Sequence, residues 1–299
     1  MANPIKIIVV AGPTSSGKTG FALKLANKLN GELINADSRQ IYKYLDIGTN
    51  KGKLVTNKFG KKFLEGVPIH LIDFLEPDKR YNLFTFKREA EEKILEISKK
   101  GKTPIIVGGT GLYIDSVVKD YHDNSGLNNK ETRLKLEAFS KENLQKEYLK
   151  LYKKNYLNNS DFNNKRRLIR QIEKYNLRSN SVLEKSDLFS TKYIIDFYYP
   201  VFELSELKKK IAIRVEEMFK EGLIEETQNV LKLGYAKNSI ALQGIGYKEV
   251  LEYLDNKATL PETIKKVKTA HIKYAKRQIT WFEGAGRNYK LKKALYQTF

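Results

Sequence analysis

Residues 5–19 read IKIIVVAGPTSSGKT, and the fold turns on them. A short β-branched run closed by a glycine is the pattern of a buried parallel strand. Behind it, Gly12-x-x-x-x-Gly17-Lys18-Thr19 matches the P-loop spacing, and Lys18–Leu29 follows with Phe21, Leu25 and Leu29 on one helical face. Strand, loop and helix in that order give the spacing its meaning. The glycines let backbone amides turn inward as a nest, and the helix N-terminus adds about half a positive charge. Gly12, Pro13, Thr14, Ser15, Ser16, Gly17, Lys18 and Thr19 thus form a cradle for a di- or triphosphate. Lys18 supplies a mobile cation, and the Thr19 hydroxyl is placed to ligate Mg²⁺. The loop does not say what else the ligand carries.

Working outward, Glu32–Ala36 reads as a second strand ending at Asp37, and Val67–Phe74 as a third. Phe84–Ser98 is an amphipathic helix closed by two lysines and a glycine. Thr103–Val107 is another buried strand, running into Gly108-Gly109-Thr110-Gly111. Strands alternating with helices imply βαβ units. Residues 119–191 differ in texture: β-branched runs are few, and helices are expected near Asn129–Ser140, Leu144–Tyr152 and Asn163–Tyr175. Lys192–Pro200 returns to strand texture, followed by helices at Ser205–Glu221, Leu223–Lys232, Tyr247–Leu254 and Pro261–Phe282. The expected architecture is α/β: a P-loop NTPase-like parallel sheet flanked by helices, formed by 1–118 and 192–299, with an all-helical insertion at 119–191.

The 299 residues carry 55 Lys and Arg against 35 Asp and Glu, a net charge of +20. Such an excess favours a polyanionic partner such as nucleic acid. Compositional drift in a chain rich in Lys, Asn, Ile and Tyr is the other source of that charge. The longest apolar stretches are of strand length, short of a bilayer span. No charged segment followed by an apolar one opens the chain, and cysteine is absent. Both fit a cytoplasmic protein without disulfides or thiolate metal sites. An ATP user would add a strand-end acid for Mg²⁺. Thr103–Val107 ends without one; Asp73 is the candidate, with a plain turn or cap role equally open.

Further short motifs follow in order: Asp37-Ser38-Arg39-Gln40-Ile41-Tyr42, Asp46-Ile47-Gly48-Thr49, His70-Leu71-Ile72-Asp73 and Gly108-Gly109-Thr110-Gly111-Leu112-Tyr113. Then come Lys165-Arg166-Arg167-Leu168-Ile169-Arg170, Gly244-Ile245-Gly246-Tyr247-Lys248-Glu249 and Lys276-Arg277-Gln278-Ile279-Thr280-Trp281-Phe282. With the P-loop, this ordered set resembles the tRNA dimethylallyltransferases from about residue 5 to 285. The resemblance implies transfer of a dimethylallyl group from its pyrophosphate to N6 of the adenosine 3′ of the anticodon. It implies that the loop grips the prenyl donor's pyrophosphate, with Mg²⁺ as cofactor, and that the insertion grips the anticodon stem-loop of tRNA. The expected form is a monomer.

By the same resemblance Asp37 is the general base and adenine contact, and Arg214 clamps the pyrophosphate with Lys18 and Thr19. Thr110 is expected near the adenine, and Ser38, Arg39 and Gln40 on tRNA. Arg133, Arg166, Arg167 and Arg170 are expected on tRNA, as are Gln243, Gly244, Gly246, Tyr247, Lys248, Lys276, Arg277 and Gln278. Tyr247 is read as a stacking face, and Trp281 as core. His70, His122 and His271 lack ligand spacing and read as structural. The Asn-rich stretch at 155–164 and Gln171-Ile172-Glu173 depart from the family pattern, which loosens the alignment of the insertion. A nucleotide or small-molecule kinase on the same fold is the alternative. It would share the P-loop and Asp37 but needs neither the insertion nor the net charge.

Overall fold

The computed structural model describes residues 3–119, 121, 130–178, 191–284 and 289–294. The chain divides into two compact units, residues 1–120 with 189–299, and residues 121–188. His122 lies outside the described residues.

In the first unit the chain runs β1 (Ile5–Ala11), α1 (Lys18–Lys28), β2 (Gly31–Asn35), β3 (Leu54–Thr56), β4 (Lys62–Leu64), β5 (Val67–His70), α2 (Leu83–Lys99), β6 (Thr103–Gly108) and α3 (Gly111–Val118). The second unit holds α4 (Lys130–Ala138), α5 (Lys141–Tyr152), α6 (Asn159–Phe162) and α7 (Lys165–Arg178). The first unit resumes with β7 (Tyr193–Pro200), α8 (Leu204–Lys220), α9 (Leu223–Lys232), a single 3-10 turn at Ala241–Gln243, α10 (Tyr247–Leu254), α11 (Leu260–Glu283) and β8 (Leu291–Ala294).

The strands form one sheet in the order β3-β4-β5-β2-β6-β1-β7-β8. From β5 to β8 every pairing is parallel; only the β3–β4–β5 edge is antiparallel. β1 sits between β6 and β7, with Val9 opposite both Ile106 and Phe197. Its residues split by parity. Ile7, Val9 and Ala11 pack with Phe86, Ile94 and Ile114 of α2 and α3, while Ile8 and Val10 pack with Phe21 and Ala26 of α1. Both faces are covered by helices, and so the strand reads as a continuous apolar run. The P-loop and the loops after β2 and β6 leave from the carboxyl ends of adjacent strands, where parallel sheets place ligands.

Two expectations change at the β5 edge. The third strand stops at His70 because Leu71 and Asp73 take left-handed backbone angles (φ 58° and 51°), which no strand continues. The β3–β4 hairpin was not anticipated; its turn is held by Asn57, whose Oδ1 accepts from the amides of Phe59 and Lys61. β8, which pairs with β7, was likewise unread.

Every regular element among the second unit's described residues is a helix, and the core is Leu136, Leu144, Tyr148, Leu168, Ile169 and Ile172. Ser140 caps α5 by accepting from the Asn143 amide. No helix among the described residues is long and apolar enough to cross a membrane.

Candidate active site: a phosphate cradle beside a carboxylate

Gly17 enters α1 with φ 81°, a conformation that costs a glycine little, and no side chain caps the helix. The first-turn amides are therefore left for the loop's own ligand. Above them lies a cavity of about 510 Å³, lined by Thr14 to Thr19, Asp37 to Gln40, Arg214 and one face of α11. Its lining also includes Leu45, Leu64, Ile69, Ile72 and Val107. Polar and apolar side chains thus share one chamber.

The phosphate loop's surroundings are cationic. Lys18 folds back, Nζ donating to the Pro13 carbonyl at 3.3 Å. Burial pulls its pKa down to about 8, opposed by the charge of Asp37 and assisted by that of Arg214. Arg214, on α8, donates from Nη1 to the Thr14 hydroxyl. Its guanidinium is lowered to about 10 by burial, with Asp37 opposing. Ser15 Oγ, Ser16 Oγ, Arg214 Nε and His271 Nε2 are buried and have no partner among the described residues. All four residues line the cavity. Buried polar atoms are normally satisfied, and a cluster of orphans around one chamber suits a multivalent anion.

Asp37 lies two residues beyond the end of β2. Its Oδ1 accepts from the Arg39 amide at 2.8 Å, so it closes a turn as well as facing the cavity. Thr110, from the loop after β6, accepts from the Ser38 amide at 3.0 Å. Tyr274 of α11 lies beside Thr110; burial and the nearby Asp37 charge push its hydroxyl pKa up, so it stays protonated. Asp37, Ser38, Thr110 and Tyr274 form one connected group next to the cradle.

Several residues expected on tRNA also make contacts within the protein. Gln278 is buried: its Oε1 accepts from the Thr14 amide at 2.8 Å and its Nε2 donates to the Gly109 carbonyl at 2.9 Å. It ties the P-loop to the loop after β6 and does not present its amide at the surface. Gly109 allows this, since a Cβ there would lie 2.1 Å from Gln278 Nε2. Tyr247 is also core, 1% exposed, with its hydroxyl donating to Glu226 at 2.6 Å. That carboxylate also accepts from the amides of Asp46, Ile47 and Gly48, so Tyr247 helps brace a loop while lining the cavity. Gln40 donates to the carbonyls of Thr49 and Asn50. Gly244 and Gly246 are buried in the turn before α10, where Gly246 has φ 94°. The rim keeps exposed Arg39, Gln243 and Arg277, the last 5.6 Å from the Tyr274 ring. Lys248 and Lys276 are exposed on α10 and α11.

In the second unit, Arg133 and Arg170 both pair with the buried Glu173, at 3.0 and 3.5 Å, and Arg167 pairs with Asp161. These three pin α4, α6 and α7 together; Arg166 is exposed. Asp73, the candidate strand-end acid, is taken up by Lys51 and Lys62. Burial alone would raise its carboxyl, but the two lysines outweigh it and hold the pKa low. No group of three or more His, Cys, Asp or Glu that could hold a metal occurs among the described residues. Mg²⁺ keeps several waters and is commonly held by substrate phosphates with one or two protein oxygens, so the exposed Thr19 hydroxyl at the mouth of the cradle fits it.

The sequence reading overlooked Tyr274 and set His271 aside as structural. Their signal was the spacing 271, 274, 278 on one face of α11, which became legible only once Gln278 was seen to face the P-loop. Replacing Gln278 with leucine should leave the Thr14 amide and the Gly109 carbonyl unpaired. A loss of roughly 2–6 kcal/mol in urea unfolding is expected, at 1–3 kcal/mol per orphaned group. Unchanged stability would mean that the brace does not matter.

The family model described as IPP transferase matches residues 40–285. The chain is 38% identical over 289 residues to a tRNA dimethylallyltransferase of Thermoanaerobacter sp. (strain X514), covering 94% of this chain and 89% of that one. Among solved structures, a tRNA isopentenylpyrophosphate transferase from Bacillus halodurans matches with TM-score 0.68 and 32% identity, over 97% of this chain and 90% of that one. A eukaryotic dimethylallyltransferase acting on tRNA matches with TM-score 0.77 and 27% identity, over 97% and 74%.

Proposed function

Because this chain belongs to the IPP transferase family, we propose that the cradle holds the pyrophosphate of a prenyl donor and that the group handed over is its hydrocarbon tail. The protein is a tRNA dimethylallyltransferase: it transfers a dimethylallyl group from dimethylallyl pyrophosphate to N6 of the adenosine 3′ of the anticodon, releasing pyrophosphate. The observation that carries the reading is the pairing, in one cavity, of an orphan-rich cationic cradle with apolar side chains and, among its described lining residues, a single carboxylate.

The adenine amine is a weak nucleophile because its lone pair is delocalised into the ring. The donor compensates by partial ionisation at C1. The loop amides, Lys18 and Arg214 take up the charge that grows on the departing pyrophosphate as the C1–O bond breaks. As the C1–N6 bond forms, Asp37 accepts the proton from nitrogen. Thr110 and Tyr274 hold the 37–38 turn so that the carboxylate keeps its place. Leu45, Ile69 and Ile72 offer the allyl group an apolar wall and keep water from the cation-like carbon. Thr19 and the donor's phosphates would hold Mg²⁺, which supplies charge neutralisation to the leaving group.

The partner proposed is the anticodon stem-loop, with the target base extruded to reach Asp37. The rim arginines Arg39 and Arg277, exposed Arg166 and the lysines of α11 are the groups that meet phosphate. The protein is proposed to act in the cytoplasm as a monomer. Steep salt dependence is expected: the log–log slope of tRNA affinity against salt should be steeper than about −3. A nearly flat slope would remove the basic surface as the docking face.

The deciding experiment incubates the full chain with unmodified tRNA and either dimethylallyl pyrophosphate or ATP, followed by nucleoside analysis. Dimethylallyl-adenosine formed only with the prenyl donor is the expected result. Phosphoryl transfer from ATP without prenylation would favour the kinase reading.

A further inference from the structure

α11 sets three side chains along the cavity: Gln278 on the Thr14 amide, Tyr274 on Thr110, and His271 two turns from Gln278. The first two have partners. His271 is 7% exposed, and its Nε2 has none among the described residues. Neutral imidazole in an apolar helix contact would be unremarkable, but this ring lies in a chamber with Arg214, whose Nε is orphaned in the same way.

We propose that His271 is a ligand of the donor's diphosphate, neutral in the free enzyme and an imidazolium when the diphosphate is bound, donating from Nε2 to a phosphate oxygen beside Arg214. The inference rests on the reading that the cradle holds a diphosphate. Its physical basis is the sign of the field. Without ligand, burial and the positive charge of Arg214 from α8 hold the ring's pKa at about 3. Lys18 from α1 adds a second cation to the chamber, Arg277 of α11 lies at its rim, and Asp37 after β2 is the opposing charge. Tyr274, on the same helix, stays neutral. A diphosphate brings several negative charges into that space and reverses the balance, so the ring can take one proton from solvent. No bond of the donor is made or broken in this step. A donor hydrogen bond that strengthens as charge collects on the leaving group favours the transition state over the bound substrate.

The test uses the full chain labelled with ¹³C,¹⁵N-histidine. It has three histidines, and His271→Gln identifies the signal of interest. In the free protein the His271 ring should stay neutral from pH 8 down to about 5.5, below its ordinary pKa range. Saturation with inorganic pyrophosphate and Mg²⁺ should convert it to imidazolium at about pH 6.5. Calorimetry should find pyrophosphate bound roughly 10- to 100-fold more weakly by His271→Ala, with a smaller loss for His271→Gln, which keeps a donor. A ring signal unmoved at saturation overturns the proposal whatever the affinities do, since lost packing alone can weaken binding. If the wild-type chain does not bind pyrophosphate at all, the reading of the cradle itself falls.

Discussion

Asp37→Asn is expected to lower kcat by roughly 10²–10⁴-fold while tRNA affinity falls by less than about threefold. Asparagine is nearly isosteric, and its Oδ1 can still accept the Arg39 amide, so the turn after β2 should persist. What disappears is the group able to take a proton from N6. Substrate positioning depends on Thr110, Tyr274 and the rim, which the substitution leaves in place. Single-turnover prenylation with saturating donor and tRNA measures the chemical step directly. A kcat within tenfold of wild type would assign proton removal to another group and leave Asp37 as a turn residue. A second signature follows from the same geometry. Asp37 raises the pKa of Lys18, so its neutralisation should push that lysine further below about 8.

Lys18→Met should reduce kcat/KM for the prenyl donor by roughly 10²–10³-fold, the scale seen when one preorganised charge-stabilising donor is removed. The pH profile tests the cause. Lys18 carries its proton below about 8 and loses it above. In the wild type, kcat/KM for the donor, which reports the free enzyme, should therefore fall as pH rises through about 8. Lys18→Arg should abolish or raise that inflection, because a guanidinium keeps its charge there. A wild-type profile flat from pH 7 to 9.5 would mean that the lysine's charge is not what grips the donor.

Much of this was legible along the chain because it is written in local rules. A β-branched run, two glycines at fixed spacing and a following amphipathic helix specify strand, nest and helix through contacts a few residues apart. The loop residues, Asp37 at a strand end and the boundaries of most helices follow from periodicity of that kind. Arg214 came from the family resemblance and not from its local surroundings, for one arginine on a helix looks like any other.

What the tertiary structure decided concerns partners far apart in sequence. Gln278 meets Thr14 across 264 residues, and Tyr247 and Glu226 close on the loop at 46–48. Glu173 absorbs Arg170 of the basic run and Arg133 from α4, and Asp73 is claimed by Lys51 and Lys62. The same polar residue types serve as surface contacts or as buried braces, and composition does not separate them. Which role wins depends on whether folding brings a complementary group within hydrogen-bonding distance and excludes water. The chain's own order of residues determined the central parallel strands, the cradle and the sign of the ligand's charge. Packing between remote elements determined which side chains are left with unmet bonds to give that ligand.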